Sequence, residues 1–282
     1  MGPVNSTRKQ WDISSIPGLT GRVAVVTGGN AGLGFVTVRE LARKGAHVYM
    51  LCRQESRALA AIEKINKAAA EELMKRETRL DILINNAGIM VTPYELTADE
   101  IEVQACNGTG HFALTVPLLP LLKQTAATPD PHVRIVNITS NSDPDFSTIE
   151  GLNQRTWSAR VRYGLSKLAN ILFTNELQKR LNESGTKNIY CISVHPGGVS
   201  TELMRGPIQS WPYLWPVFSF MSMIFLAPEQ GALTQLYAAT APEVEEQDLK
   251  YLTSKSKLAE DKDGKLGGQF WDLCENLVKE KT

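Results

Sequence analysis

Two side chains that could move a proton stand four residues apart, Tyr163 and Lys167. On a helix, residues at this spacing lie on one face and can reach the same ligand. A phenol with an ordinary pKa of about 10 is a poor base near neutral pH, and a nearby ammonium stabilises the phenolate and lowers that pKa. The spacing therefore indicates a proton-transferring tyrosine beside an activating lysine, although such pairs also occur by chance on surface helices.

A glycine-rich segment near the amino terminus could bind phosphate. Thr27–Gly34 reads TGGNAGLG and directly follows the apolar run Val23–Thr27. Glycines at these positions allow a tight turn and a close approach of backbone N–H groups to a pyrophosphate, and the positive end of the following helix favours its negative charge. A purely structural turn between a strand and a helix would use the same residues, so the segment gains weight only beside further motifs.

The elements that would position these groups alternate between short β-branched runs and longer amphipathic stretches, as in a parallel sheet wrapped by helices. Helices are predicted over Gly34–Lys44, with Gly45 as its stop, and over Pro228–Thr240. We predict a single Rossmann-like, doubly wound α/β domain over residues 1–282. Its predicted strands include Val23–Thr27, His47–Cys52, Ile82–Asn85, Arg134–Ile138 and Ile189–Val194.

Composition and charge exclude several classes of protein. The chain carries 30 basic and 30 acidic side chains, so its net charge gives no reason to expect a nucleic-acid partner. Its four cysteines are far apart and lack any CxxC pair, so neither a disulfide framework nor a metal site is expected. Residues 1–17 are polar where a secretory signal would be apolar, which favours a cytoplasmic location.

Several motifs, in order, resemble those of the short-chain dehydrogenase/reductase family. They are the TGxxxGxG spacing of Thr27–Gly34, the NNAG of Asn85–Gly88 and the YGLSK of Tyr163–Lys167. The following Leu168–Phe173 completes a sequence similar to the SKLAN of the retinol-dehydrogenase-like and WW-domain-oxidoreductase-like branch. The resemblance runs from about residue 19 to about residue 239. It implies a nicotinamide-dependent oxidoreductase that acts on CH–OH groups.

The resemblance also implies roles for individual residues. Ser140 would hydrogen-bond the substrate carbonyl, with Ser142 as its rival, and Tyr163 would exchange the proton with the substrate oxygen. Lys167 would activate the tyrosine and hold the nicotinamide ribose, and Asn107 would order a water that links the lysine to solvent. The predicted cofactor contacts are Gly28, Asn30, Gly32, Leu33, Gly34, Arg53, Asn85, Ala87, Gly88, Tyr163, Lys167, Pro196, Val199 and Thr201.

Two further positions bear on the site. NAD-preferring relatives usually carry an acidic residue at the end of the second strand, where this chain has Cys52 and Arg53. An arginine there can make charge-assisted hydrogen bonds to a 2′-phosphate, so NADP(H) is the expected cofactor, with NAD(H) possible. His111 lies beside the predicted Asn107, but a lone histidine on a helix is more often packed than catalytic, and it is left out of the site.

A lid is predicted over residues 203–228, because the family places its substrate loop after the PG turn. Within it, Trp211–Ala227 is nearly uncharged and aromatic. We expect it to cover a small apolar substrate such as a retinoid, steroid, lipid aldehyde or polyketide-like metabolite. The stretch is too short to span a bilayer, although it could touch a membrane surface.

The chain departs from the family where the third strand should stand. Glu55–Arg79 is one run rich in alanine, glutamate and lysine with strong helix propensity and no β-branched segment. We predict a six-stranded sheet that lacks one edge strand and leaves the second strand at the edge. Weaker cofactor binding would follow, and an alternative is a catalytically impaired nucleotide-binding protein. Homodimerisation through the helix that carries Tyr163 is also possible.

Overall fold

Parallel strands form the centre of the computed structural model, which describes residues 11–52, 62–140, 158–199, 207, 213, 225–246, 251–253 and 265–281. The strands of these residues are β1 (Val23–Thr27), β2 (His47–Leu51), β3 (Ile82–Asn85), β4 (Val133–Ile138), β5 (Ile189–His195) and β6 (Tyr251–Thr253). They form one sheet in the order β2-β1-β3-β4-β5-β6, and every neighbouring pair is parallel.

The sheet confirms the predicted α/β fold. Strands β1, β3 and β4 are buried along their whole length, which explains why they read in the sequence as continuous apolar runs. The five predicted strands agree with β1 to β5 to within a residue at each end. The position of β6 was not predicted, because three residues are too few to show a periodic pattern.

Helices cover both faces of the sheet. In the described part of the chain they are α1 (Gly32–Arg43), α2 (Ile62–Arg76), α3 (Cys106–Ala126), α4 (Ala159–Glu183), α5 (Pro228–Thr240), α6 (Glu243–Glu246) and α7 (Lys265–Lys281). Helices α1 and α5 pack together on one face, and α2, α3, α4 and α7 pack on the other. The predicted helix before Gly45 and the predicted helix over Pro228–Thr240 are both confirmed.

The alternation of side chains along the strands divides the apolar core in two. In β1, Val23 and Val25 join the cluster under α3 and α4, whereas Ala24 and Val26 join the cluster under α1 and α5. Successive side chains of a strand point to opposite faces, so one apolar run supplies both clusters. Because every neighbouring pair is parallel, the carboxyl ends of all the described strands lie at one edge of the sheet.

The predicted loss of the third strand is confirmed in the described residues. Among the described residues, strand β2 pairs with β1 alone and stands at the edge of the sheet. Helix α2 lies between β2 and β3 in the chain and packs on α3. Just after α2, the Glu77 carboxylate accepts a 2.8 Å hydrogen bond from the Tyr49 hydroxyl and lies 3.2 Å from Nδ1 of His47. These contacts hold the end of the helix against the edge strand.

Helix α7 covers part of α4. It packs on α3 and α4, and its Phe270, Trp271 and Cys274 are buried in the core. Trp271 makes an edge contact with Phe112 at a centroid distance of 4.9 Å. Pairing of two subunits through the helix that carries Tyr163 stays a prediction.

None of the helices in the described ranges combines the length and the hydropathy needed to cross a bilayer.

Replacing Glu77 by alanine tests how α2 is held. We expect the free energy of unfolding to fall by about 1 kcal/mol, because the hydrogen bond to Tyr49 is lost where the carboxylate is mostly shielded from water. The measurement is urea denaturation followed by circular dichroism. Glu72→Ala, which removes exposed pairs with Lys75 and Arg76 on the same helix, should have a smaller effect. Equal losses in the two variants would contradict this account.

Candidate active site

Four predicted motifs meet at the carboxyl edge of the sheet. The glycine-rich turn follows β1, the NNAG segment ends β3 and follows it, Thr139 and Ser140 follow β4, and the PG turn follows β5. Because these four strands are parallel and adjacent, segments that lie far apart in the sequence come together at one crevice. The order of the motifs in the chain could predict this convergence, but only the sheet order shows which motifs are neighbours.

The glycine-rich turn is closed by close packing of its own backbone. Gly28 has a φ of +65°, a conformation that side chains disfavour. A Cβ atom on Gly34 would lie 2.2 Å from the Gly28 carbonyl oxygen. The Gly28 N–H also donates to the Leu51 carbonyl at 2.7 Å, which ties the turn to the end of β2. Gly28 and Gly34 are therefore required by the geometry of the turn itself.

The NNAG segment locks onto this turn through Asn86. Its amide nitrogen donates to the Thr27 carbonyl at 2.8 Å, and the Thr27 hydroxyl accepts from the backbone N–H groups of Asn86 and Ala87. Asn85, by contrast, is fully buried, and its amide donates to Asn137 and Thr115. The predicted contact of Asn85 with a cofactor stays a prediction, and it would use the backbone, since the side-chain amide donates inside the sheet.

Asn107 connects three parts of the site. Its amide oxygen accepts from the Ile89 N–H at 2.9 Å, and its amide nitrogen donates to the Ile89 carbonyl and to the Ser166 hydroxyl, each at 2.9 Å. A Cβ atom on Gly88 would lie 3.3 Å from Nζ of Lys167 and 3.4 Å from Oδ1 of Asn107. Gly88, Asn107 and Lys167 are thus neighbours, as the sequence predicted, and the Asn107 side chain joins α3 to the NNAG segment and to α4.

Tyr163 and Lys167 lie in the second and third turns of α4. Nζ of Lys167 is 5.8 Å from the centroid of the Tyr163 ring and donates a 3.1 Å hydrogen bond to the Ile138 carbonyl. The Tyr163 hydroxyl is hydrogen-bonded to Ser140. The structure therefore brings Ser140 to the tyrosine, whereas its rival Ser142 lies outside the described residues.

Burial shifts the pKa values of Tyr163, Lys167 and His195. It raises the pKa of Tyr163 to about 12, against the opposing effect of the Ser140 hydrogen bond, and it lowers the pKa of Lys167 to about 8. The pKa of His195 is also lowered, first by burial and then by the charge of Lys167. The sequence predicted that the lysine lowers the phenol pKa, but burial has the larger effect and raises that pKa.

Three residues of this site were missed in the sequence. Asn170 donates to the same Ile138 carbonyl as Lys167, at 3.3 Å, and its amide oxygen lies 3.2 Å from Nδ1 of the buried His111. Ser166 receives the bond from Asn107. Nδ1 of His195 is buried without a partner among the described residues. Asn170 could have been found from its spacing of three residues after Lys167, and His195 from its place before the PG turn. His111 is packed, as predicted.

Some of the remaining predicted cofactor contacts lie within the described residues. Pro196 and Val199 follow β5, and a Cβ atom on Gly231 of α5 would lie 2.4 Å from Val199 and 2.8 Å from Leu33. The Leu33 and Val199 side chains therefore both lie against Gly231 of α5. Gly32 opens helix α1, and Asn30 lies exposed in the turn before it. Arg53, Thr201 and most of the predicted lid fall outside the described residues. From the last part of that lid, Leu226 donates its N–H to the Gly198 carbonyl at 2.9 Å.

The crevice suits a dinucleotide with one phosphate-binding end and one reactive end. Helix α1 begins beside the glycine turn, and its N-cap Ala31 has no side-chain oxygen to satisfy the first backbone N–H groups. Those groups favour an anion. At the other end, Nδ1 of His195 is buried without a partner among the described residues, and the charge of Lys167 lies close enough to lower the His195 pKa. The fold and the site together define a nucleotide-binding oxidoreductase.

Comparison with known proteins identifies the family. Residues 22–211 match the family model for short chain dehydrogenases. A short chain dehydrogenase/reductase of Colletotrichum higginsianum, dpchH, is 41% identical over 84% of this chain and 67% of its own length. Retinol dehydrogenase 11 of Mus musculus is 39% identical over 78% of this chain and 74% of its own length.

A solved structure of an uncharacterised protein from Mycobacterium paratuberculosis is similar throughout. It has a TM-score of 0.68 and 30% identity, and the match covers 95% of this chain and 97% of that one. The protein described here belongs to the short-chain dehydrogenase/reductase family, in its retinol-dehydrogenase-like branch. It is an oxidoreductase that acts on CH–OH groups with a nicotinamide cofactor.

Replacing Gly34 by alanine tests the glycine turn. The new methyl group would collide with the Gly28 carbonyl, so the turn must open, and we expect at least a tenfold loss of NADPH affinity in a fluorescence titration. Gly268→Ala is the matched control, because a Cβ atom there meets no other atom within 4 Å. That variant should bind normally and gain stability, since alanine is favoured over glycine in a helix by roughly 0.5–1 kcal/mol. Normal binding by Gly34→Ala would refute the packing argument.

Proposed function

We propose that this protein interconverts a carbonyl and a primary or secondary alcohol on a small apolar substrate, with NADP(H) as its preferred cofactor. The observation that carries the proposal is the convergence of Ser140, Tyr163, Lys167 and Asn107 at the carboxyl edge of the sheet, with Tyr163 hydrogen-bonded to Ser140. Proton transfer to a reacting oxygen needs a donor held in hydrogen-bonding geometry, and this pair supplies one.

In the reductive direction, Tyr163 acts as the acid. Its raised pKa keeps the phenol protonated at neutral pH, so the hydroxyl can donate to a carbonyl oxygen that gains negative charge. Ser140 donates to the same oxygen, and two fixed donors stabilise the transition state more than the ground state. A bound nicotinamide supplies or accepts the hydride. In the oxidative direction, the same phenol oxygen takes the proton of the alcohol.

Lys167 and Asn107 maintain the proton supply. The lysine ammonium donates a hydrogen bond to the Ile138 carbonyl. Its proposed role is to bind the nicotinamide ribose and to stabilise a phenolate during turnover. Because the Asn107 side chain is occupied by Ile89 and Ser166, its proposed contribution to a water-linked proton path rests on its backbone carbonyl. His195 remains neutral near pH 7 because its pKa is lowered, so it adds no second positive charge beside the lysine.

The cofactor is held, in this proposal, by four parts of the crevice. They are the glycine turn with the first turn of α1, the NNAG segment, the PG turn and Arg53 at the end of β2. Arg53 would bind the 2′-phosphate, and no acidic residue immediately precedes it. The proposed contacts are Gly28, Asn30, Gly32, Leu33, Gly34, Arg53, Asn85, Ala87, Gly88, Tyr163, Lys167, Pro196, Val199 and Thr201.

The apolar character of the substrate rests on the aromatic composition of the lid over residues 203–228 and on the similarity to retinol dehydrogenase 11. A retinoid, a steroid, a lipid aldehyde and a polyketide-like metabolite all satisfy this chemistry. Contact of the lid with a membrane surface is part of the same proposal, and so are a cytoplasmic location and a single domain over residues 1–282.

A second candidate function is nucleotide binding without turnover. The observation that favours it is the position of β2 at the edge of the sheet, because a missing third strand removes part of the wall on the adenine side of the crevice. The two candidates differ in turnover of a panel of apolar aldehydes and ketones. Binding of NADPH without turnover by folded protein would select the second.

Cofactor preference is tested by fluorescence titration with NADPH and with NADH, comparing the wild-type protein with Arg53→Ala. We expect saturable binding with a preference for NADPH. The substitution should weaken NADPH binding at least tenfold and leave NADH binding nearly unchanged, because only NADPH carries the 2′-phosphate. Lys44→Ala, which removes a cation bound to the backbone around residue 14, serves as a charge-matched control. Equal losses for both cofactors would contradict the assignment of Arg53.

The pH dependence of carbonyl reduction tests the roles of Tyr163 and Lys167. The required forms are the neutral phenol and the charged ammonium. Because the lysine pKa is about 8 and that of the phenol about 12, kcat/KM should be constant between pH 6 and 7 and fall as the pH rises through about 8. Tyr163→Phe should abolish turnover and preserve NADPH binding. A rate that rises through pH 8 would overturn the assignment.

A further inference from the structure

A buried ion pair adjoins the proposed proton donor. Nε of Arg162 lies 3.0 Å from a carboxylate oxygen of Glu102, and both side chains are almost completely buried. Arg162 lies in the first turn of α4 and directly precedes Tyr163, whereas Glu102 lies before α3. Neither residue belongs to the predicted site.

The two charged groups join three segments of the site. The second carboxylate oxygen of Glu102 accepts from the N–H groups of Gln104 and Ala105 at 2.9 and 3.1 Å, at the start of α3. The Arg162 guanidinium also donates to the Thr92 carbonyl at 2.8 Å, in the loop that follows the NNAG segment. Its centre lies 5.5 Å from the centroid of the Tyr94 ring.

Gln104 makes a parallel connection. Its amide oxygen accepts from the Val91 N–H at 2.7 Å, and its amide nitrogen donates to the Ala159 carbonyl at 3.3 Å. Side chains therefore connect the first turn of α4 twice to the segment just before α3 and to the loop that follows the NNAG segment.

We infer that Arg162 and Glu102 are positioning residues, which hold the first turn of α4 so that the Tyr163 hydroxyl stays aligned with Ser140 and with the Asn107 end of α3. The inference rests on the proposed role of Tyr163 in proton transfer. Misplacement of a reacting group by about 1 Å can lower a rate by roughly a hundredfold, so a rigid connection at this turn acts directly on turnover.

The chemistry of the pair favours positioning over stability. Removing two charges from water carries a large desolvation penalty, and replacing a buried ion pair by uncharged groups is often neutral or stabilising. Stability alone therefore gives no reason for charges here. The guanidinium, however, binds Glu102 and Thr92 in fixed directions, which an apolar side chain could not do.

The central experiment uses the double variant Glu102→Gln/Arg162→Met. It removes both charges together, so neither is left buried and unpaired, and the glutamine retains an acceptor for the start of α3. We expect an unchanged urea midpoint and NADPH affinity within twofold of wild type. With a carbonyl substrate, kcat should fall roughly 10- to 100-fold with KM nearly unchanged, because orientation is lost and binding is kept.

A second readout needs no turnover. The phenol of Tyr163 is titrated by ultraviolet difference absorbance, with each protein compared with the same protein carrying Tyr163→Phe. In the double variant the loosened turn admits water, so the pKa should fall from about 12 towards the ordinary value. Arg162→Lys, which keeps the charge but cannot bind Glu102 and Thr92 together, should give an intermediate kcat and an intermediate titration.

The matched control is Glu176→Gln/Arg180→Met, which removes an ion pair farther along the same helix. It should leave kcat and the phenol titration unchanged. A folded Glu102→Gln/Arg162→Met variant with wild-type kcat and wild-type titration would overturn the inference and make the pair structural only. A wild-type protein that turns over no carbonyl, while the phenol titration shifts in the double variant, would refute the proposed function and leave the positioning role standing.

Discussion

Lys167 is a buried amine, and a buried amine needs an oxygen partner. It finds that partner in the carbonyl of Ile138, at the last residue of β4, and Asn170 donates to the same oxygen one helical turn later. These two bonds fix the height and rotation of α4 over the end of the sheet. The placement of Tyr163 beside Ser140, and of Ser166 beside Asn107, follows from this docking, because all four side chains belong to α4 or to segments that it contacts.

The same docking continues into the sheet through uncharged polar groups. Asn137 of β4 donates to Thr174 of α4 and accepts from Asn85 of β3, whose amide also donates to Thr115 of α3. Each of these groups is buried, so a shift of α4 would leave several donors and acceptors unsatisfied. The polar contacts therefore allow one arrangement of helix and sheet, where apolar packing alone would tolerate several.

The missing third strand affects the opposite end of the crevice. The reacting end depends on β4, β5, α3 and α4, and their contacts are intact in the described residues. The adenine end depends on β1 and β2, and β2 now stands at the edge of the sheet. Helix α2 packs on α3. Just after α2, the Glu77 carboxylate accepts a hydrogen bond from Tyr49 of β2. We therefore expect the missing strand to act on cofactor affinity more than on the reacting end.

The amino-acid sequence by itself determined the alternation of strands and helices, the order of the motifs and the absence of the third strand. These follow from local signals: β-branched runs, glycines that a turn requires, and a long segment with helical propensity. It also indicated that the glycine turn, the NNAG segment, Ser140 and the PG turn each follow a parallel strand, and hence lie at one edge of the sheet. It could not locate β6, because a three-residue strand carries no periodic signal.

Only the tertiary structure decided which side chain of each motif faces the crevice. Asn85 and Asn86 are identical in type, yet one is committed inside the sheet and the other secures the glycine turn. The direction of the Tyr163 pKa was also decided there, because it depends on burial and on the distance of a charge, and not on spacing along a helix. The partnership of Glu102 with Arg162, sixty residues apart in the chain, arises for the same reason: contact between distant residues exists only after the sheet has brought their helices together.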